Sequence, residues 1–285
     1  MPEAVVVFTG IVVFARMLDV GLRHRPGALR ALWRDPSLLA RSLLSALVVV
    51  PLAALALVAA LPIPPEAALG LVVLAAAPGA PLTTRRAEAA GADLGYVSAL
   101  QLTLAGLAVI HAPLVVAAFG LGVDATGPTV EPERIAVQVA TVTFLPAALG
   151  WLIADRAPGA IRRRAELLSR VSRLLFVAFL AAAPLSLVFV PDLRATLAIG
   201  WAGAAAVTLL AAAALASGHL LGGPGAARRS GLAIATVARN LGLALYLAET
   251  SPALAPAIPT ILAFALIAML LALPCSRRMR RRAEA

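Results

Sequence analysis

The chain reads as an all-α integral membrane protein with nine transmembrane helices, and three observations carry that reading. Hydrophobic residues make up 61% of the 285 and charged residues 13%, with a mean hydropathy of +0.95, a balance that a soluble fold of this length does not show. Nine apolar runs are long enough to cross about 30 Å of hydrocarbon, at about 3–22, 37–61, 66–90, 93–119, 133–154, 171–190, 195–221, 229–249 and 253–274. The 24 basic residues are all arginine, and they collect on one side of these runs.

Nineteen of those arginines follow spans 1, 3, 5, 7 and 9: Arg23, Arg25, Arg30 and Arg34; Arg85 and Arg86; Arg156, Arg162, Arg163, Arg164, Arg170 and Arg173; Arg228 and Arg229; Arg277, Arg278, Arg280, Arg281 and Arg282. The opposite segments hold Asp124, Glu131, Glu133, Asp192 and Glu249, with only Arg134 and Arg194 among them. The positive-inside rule then puts the N-terminus outside and the C-terminus inside. A net charge of +10 is thereby a matter of topology, and no nucleic-acid partner is expected. One cysteine, Cys275, excludes a disulfide framework and a metal–cysteine cluster. The opening "MPEAVVVFTGIVVFARMLDVGL" has neither a basic leader nor a small-residue cleavage site, so it is expected to be a retained span and not a signal peptide.

Along the chain, span 1 carries Arg16 and Asp19, spaced as a local ion pair near the inner boundary, and Asp19 is one of few acids able to titrate inside the membrane. Span 3, "EAALGLVVLAAAPGAPLTTRRAEAA", has Pro78, Gly79 and Pro81 near its middle. Two prolines and a glycine remove backbone donors and clash with the preceding turn, so the helix must break. The freed polar groups must be buried in protein or line a wet cavity. Beyond the break, Arg85, Arg86 and Glu88, with Arg85 and Glu88 at pairing distance, form either a solvated end or an anion funnel. Asp93 suits an N-cap for span 4. His111 in "AVIHAPLV" is a packing histidine or a proton relay. Acidic "DATGPTVEPE", 124–133, is a solvated external loop. The small residues of "GWAGAAAVTLLAAAALASG" in span 7 suit close helix packing.

Span 8, "GLAIATVARNLGLALYLAE", sets Arg239 ten residues from both Arg229 and Glu249, about 15 Å from either boundary and near the midplane. Asn240 and Gly242 follow at once. One reading makes Arg239 a structural arginine satisfied by carbonyls of neighbouring helices. The other makes it functional, because charges inside the membrane are costly, and that is the expectation adopted. Spans 3 and 8 lie five apart and so run antiparallel, and interrupted helices in corresponding positions of two inverted halves point to a secondary transporter. Half-helices starting near Leu82 and Leu241 would aim amides at one central volume, and Arg239 beside them suits it to an anion. Metal-ligand clusters and a nucleophile elbow are both missing from the sequence, so no enzyme is expected.

Three stretches resemble the bile acid:sodium symporter family. "VVFARMLDVGL" is similar to its first-repeat segment ending in Gly-Leu. "RDPSLLARSLLSALVVVPLAALALVAALPIPPEAALGLVVLAAAPGAP" is similar to its Pro-containing helix, short turn and Gly-rich break. "GLAIATVARNLGLALYLA" is similar to its second broken helix, where the family shows Gln-Asn and then Gly-Leu. The resemblance implies one transporter domain over 1–285. Its core would comprise spans 2, 3, 4, 7, 8 and 9, about 37–119 and 195–274, with spans 3 and 8 crossing at their breaks. Its panel would comprise spans 1, 5 and 6, about 3–22 and 133–190. It further implies alternating-access transport of a small organic anion across a cell membrane, expected to be a bacterial inner membrane, with solute and bilayer as partners. No oligomeric state is assigned.

The family's break reads Pro-Gly-Gly-Thr-Ala-Ser-Asn; with Pro78 and Gly79 on its start, Thr83 and Thr84 take the Ser-Asn positions. Val97 and Gln101 stand where the family offers Ser and Thr oxygens to sodium. Ala46 replaces a Gln, Ala235 the Glu that anchors both sodium sites, and Arg239 the Gln of the Gln-Asn pair. Sodium needs clustered oxygens and a carboxylate, and the fixed charge of Arg239 would repel it. No cofactor and no ordinary sodium coupling are therefore expected, with Arg239 supplying permanently the charge that sodium supplies elsewhere. The substrate-binding candidates are Thr83, Thr84, Gln101, Arg239 and Asn240, and the helix-break candidates Pro78, Gly79, Pro81 and Gly242. Asp19, Asp93 and His111 are the candidates for proton coupling, since arginine keeps its proton. The alternatives are a proton-coupled or facilitative carrier of this fold, or a non-transporting membrane sensor or scaffold.

Overall fold

The computed structural model describes residues 3–119, 130–156, 166–179 and 199–284. The end of span 6, the start of span 7, most of the 124–133 loop, Arg162 to Arg164, Asp192 and Arg194 lie outside them. Among the described residues all regular structure is helical. In chain order it comprises α1 (Glu3–Leu22), α2 (Ala28–Trp33), α3 (Pro36–Ala60), α4 (Pro65–Ala76), α5 (Thr83–Ala89) and α6 (Leu94–Ala118). It continues through α7 (Pro132–Arg156), α8 (166–179), α9 (Gly200–Leu221), α10 (Ala226–Val237), α11 (Leu241–Thr250) and α12 (Ile258–Glu284).

Seven stretches among these are long and apolar enough to cross a membrane, namely α1, α3, α6, α7, α9, α10 with α11, and α12 with the short turn before it. The third expected span is divided between α4 and α5, and the sixth extends past the described residues. Large apolar side chains such as Ile110, Leu114, Trp201, Leu220 and Leu270 point outward, each more than half exposed. An apolar exterior of this kind is what a bilayer solvates. The stretch α10–α11 behaves differently: 89% of its most apolar window is buried, against 61% or less for the other six. The least hydrophobic crossing is thus the most central one.

Local chemistry accounts for the ends and irregularities. Asp35 accepts from Leu38 N (3.0 Å) with Pro36 opening α3, and Asp93 accepts from Tyr96 N (3.1 Å) to cap α6. Both α3 and α7 contain a π-helical stretch, Leu44–Val49 and Ala140–Phe144, each ending two residues before a proline, Pro51 and Pro146. A proline ring collides with the carbonyl four residues back. The wider i→i+5 turn relieves that collision, and the stretch stops where proline would have to donate.

Small residues let the backbones approach. A Cβ on Gly21 of α1 would collide with Ala147 O of α7, and one on Gly150 of α7 would collide with Leu18 O of α1. Gly218 of α9 lies in the same way on the Ala233 backbone of α10, which gives the small-residue face of span 7 its partner. Gly150→Val should separate α1 from α7 and destabilise the protein by about 1–3 kcal/mol or more, read as a lowered melting temperature in detergent. An unchanged melting temperature would show that the two helices do not meet there.

Candidate functional site

The centre of the molecule is the meeting of two helix interruptions. α4 ends at Ala76, and Pro78 cannot donate, so the chain runs irregularly through residues 77–82 before α5 begins at Thr83. Gly79 has φ of 78°, a left-handed conformation that a Cβ would disfavour. α10 ends at Val237 and α11 begins at Leu241. Between them Arg239 N donates to Val237 O and Leu241 N to Arg239 O, both at 2.9 Å. These are two consecutive inverse γ-turns centred on Ala238 (φ −76°, ψ 88°) and Asn240 (φ −76°, ψ 83°). Gly242 is not part of the interruption, because the second γ-turn closes at Leu241 and Gly242 already lies in α11. The two interruptions pair with each other: Ala80 N donates to Ala238 O (3.3 Å) and Asn240 N to Ala77 O (2.9 Å). Backbone groups that the breaks release are thereby satisfied without water.

Arg239 completes this crossing. Its side chain is 2% exposed and ends among carbonyls, with Nε donating to Leu74 O (2.9 Å), Nη1 to Ala46 O (3.2 Å) and Nη2 to Ala75 O (2.5 Å). Leu74 and Ala75 belong to the last turn of α4, at the negative end of the helix dipole; Pro78 cannot donate to Leu74 O, which accepts from Ala77 N (3.2 Å) as well as from Arg239. Ala46 O also lacks its regular donor because of a proline. In the π-helical register its donor would be residue 51, and Pro51 has no N–H. Three carbonyls beside proline-made irregularities in two helices thus converge on one guanidinium, a planar group with donors in three directions. His111 reaches the same place. Its Nε2 lies 3.3 Å from Ala75 O, so the ring carries its proton on that nitrogen and shares the carbonyl with Arg239.

The other candidates take separate positions. Asn240 accepts from Leu243 N through Oδ1 (3.1 Å), capping α11, and its Nδ2 is 4.0 Å from the sulfur of Met17. Thr83 Oγ1 donates to Ala80 O (2.6 Å), Gln101 Nε2 donates to the same carbonyl (2.5 Å), and Gln101 Oε1 accepts from Thr84 Oγ1 (3.0 Å). Thr83, Thr84 and Gln101 therefore hold the start of α5 to α6. Ala46, Val97 and Ala235 are buried and bring no side-chain oxygen. No group of His, Cys, Asp and Glu suited to a metal ion occurs among the described residues.

A cavity of about 280 Å³ opens beside the crossing, lined by Arg16, Asp19 and Arg23 of α1, Arg85 and Glu88 of α5, Thr84, Pro81 and Leu82, and Ser169 and Arg173 of α8. Arg16 is its buried anchor, 5% exposed. Nη1 donates to Asp19 Oδ2 (2.9 Å) and to Ser172 Oγ (3.2 Å), and Nη2 donates to Pro81 O (3.2 Å) at the first interruption. Its Nε is buried with no partner. Asp19 also accepts from Arg23 Nε (3.1 Å) and Ser169 Oγ (3.3 Å). The expected pair Arg16–Asp19 is present, yet it ties α1 to α8 and to the break, which spacing along span 1 could not signal. Arg85 and Glu88 form no ion pair with each other and both face the cavity. Neither Arg239 nor Asn240 lines it. The sequence groups those two with Thr84 as substrate ligands, whereas carbonyl and helix-capping contacts hold them away from the cavity.

A bundle of apolar helices with two interrupted segments paired at its centre is the construction of a multi-pass membrane transporter. Residues 10–214 match the sodium bile acid symporter family, and the chain belongs to that family. The matched region takes in the first interruption and ends before α10. No curated protein matches the chain.

Arg239→Met should remove three charge-assisted hydrogen bonds to buried carbonyls, with Ala46 O left to no other side chain, and cost at least about 3 kcal/mol, whereas Arg239→Gln, which keeps two N–H donors, should cost less. Pro51→Ala returns an amide within reach of Ala46 O. Combined with Arg239→Met, it should soften the loss by about 0.5–1 kcal/mol relative to the sum of the single changes, measured by chemical or thermal unfolding of each variant.

Proposed function

We propose that this protein is a secondary transporter for a small organic anion, working by alternating access without a coupling sodium ion, with Arg239 as a cation tethered at the crossing. The observation that carries the proposal is the set of three carbonyls on the Arg239 guanidinium. Main-chain carbonyls are the usual ligands of a small hard cation where a helix is unwound. A guanidinium that already occupies them supplies the same charge at the end of the α4 dipole and leaves nothing for sodium to bind. Ala235, in the place of the family's anchoring Glu, offers no carboxylate to offset a second cation. Since Arg239 does not reach the cavity, its part is to fix the crossing in electrostatic balance and not to touch the substrate.

In this reading the chain has nine spans with the N-terminus outside and the C-terminus inside, arranged as inverted repeats. α3–α6 and α9–α12 form the core, and α1, α7 and α8 form the panel. The cavity at Arg16 then lies between panel and core, where a rocking motion would expose it to one side and then the other. Four arginines against two carboxylates suit it to an anion. At about 280 Å³ it suits a solute at the small end of ligand sites. The anion is expected to contact Arg85 and Arg173, which have no acidic partner among the described residues.

The test is uptake into proteoliposomes, with sodium and proton gradients imposed separately, of the small carboxylate or sulfonate that most raises the melting temperature. Replacing external sodium by N-methylglucamine should leave the flux nearly unchanged, and strong, saturable sodium dependence would overturn the proposal. Arg85→Gln with Arg173→Gln should raise the half-saturating concentration by on the order of tenfold or more. Arg239→Gln with Ala235→Glu, which removes the fixed charge and restores a carboxylate, should bring in a sodium-dependent shift in substrate affinity.

A further inference from the structure

A second cavity, of about 310 Å³, lies at the arginine-rich end of the molecule, enclosed by the C-terminal turn of α9, the start of α10 and the distal part of α12. It is lined by His219, Pro224, Ala226, Arg229, Ser230, Cys275, Arg278 and Met279. Unlike the cavity at Arg16, its lining contains no acid. Arg229 donates through Nε to Gly223 O (2.5 Å), and neither it nor Arg278 has a carboxylate partner among the described residues. Arg228, by contrast, pairs with Asp35 at 3.5 Å. The N-cap of α10 is Gly225, which has no side chain to bond the first amides, so those N–H groups stand open at the positive end of a 12-residue helix. His219 Nδ1 is buried and has no hydrogen-bond partner. Two guanidiniums and free helix-terminal amides ask for the same thing, a multiply accepting anion, and His219 Nδ1 beside them is free to take a hydrogen bond of either kind.

The surroundings say where that anion comes from. Leu220, next to His219, is 79% exposed, and Leu273, two residues before Cys275, is 51% exposed. Outward-facing apolar side chains thus stand directly beside a basic pocket between apolar helices. A soluble phosphate would use the pocket and leave these leucines irrelevant; a phospholipid would use both. We propose that this cavity binds the phosphate of an anionic membrane lipid, with Arg229 and Arg278 on the headgroup and an acyl chain along Leu220 and Leu273. A lipid held there would brace α10, the helix that carries the second interruption, against α9 and α12.

The test is native mass spectrometry of the delipidated full-length protein, titrated with phosphatidylglycerol, phosphatidylcholine and soluble glycerol 1-phosphate, with melting temperature as a second readout. Phosphatidylglycerol should bind at one site per chain, at least tenfold more tightly than either other ligand. Arg229→Gln with Arg278→Gln should weaken it on the order of tenfold or more. The charge-matched pair Arg30→Gln with Arg34→Gln, on and beside α2 and outside the cavity, should leave it unchanged. Since both altered cavity arginines are exposed, the variant's melting temperature in neutral detergent should match that of the unaltered protein. Equal weakening by the two pairs, or equal binding of phosphatidylcholine, would overturn the site. Equal binding of glycerol 1-phosphate would overturn its assignment to a lipid.

Discussion

Everything central in this protein depends on how three main-chain carbonyls, stranded inside an apolar bundle, find donors. Proline creates the problem twice. Pro78 ends α4 and denies Leu74 O its regular donor, leaving that carbonyl the tighter bond from Ala77 N and Ala75 O the ring of His111, and Pro51 leaves Ala46 O without its π-helical donor. A buried carbonyl with no partner and a buried arginine with no partner are each expensive. Placed together they cancel much of each other's cost, with three hydrogen bonds to one charged group. The reciprocal bonds between Ala77–Ala80 and Ala238–Asn240 satisfy what remains, and the two half-helices leave this point with their termini fixed.

That arrangement also separates two roles that a single midplane charge would otherwise have to combine. Arg239 balances the crossing, while Arg16, Arg23, Arg85 and Arg173 surround the adjacent cavity. The link between them is Pro81 O, which accepts from Arg16, a few residues from Ala77 O and Ala80 N at the pairing of the two breaks. A change in how α1 and α8 sit against the first interruption therefore bears on the same short segment that meets Arg239.

Much of this was legible in the amino-acid sequence, for physical reasons that differ from residue to residue. Pro78, Gly79 and Pro81 announce a break because their backbone chemistry is local. Arg239 announces itself because the nearest charged residues, Arg229 and Glu249, are ten positions away on either side. Asp93 reads correctly as a cap from its position before an apolar run. What a charge at the midplane touches, however, is set by helices far away in the chain, so Leu74, Ala75 and Ala46 could not be named in advance. The π-helical turns before Pro51 and Pro146 are not legible in the sequence, because an isolated proline in an apolar run looks like an ordinary kink. Arg16 reads as half of a local pair because its spacing to Asp19 is visible in the sequence, and its bonds to Ser172 and Pro81 are not.

The most direct measurement is the cation dependence of unfolding for the unaltered protein and for Arg239→Ala, in sodium, guanidinium and choline at equal millimolar ionic strength. If Arg239 is the tethered cation of the crossing, the unaltered protein melts at one temperature in all three. The variant melts lower, and sodium or guanidinium, small enough to enter the vacated space among Leu74 O, Ala75 O and Ala46 O, restores part of the loss where choline does not. A saturable rise in melting temperature with sodium in the unaltered protein would contradict the account, and so would a variant that no cation restores.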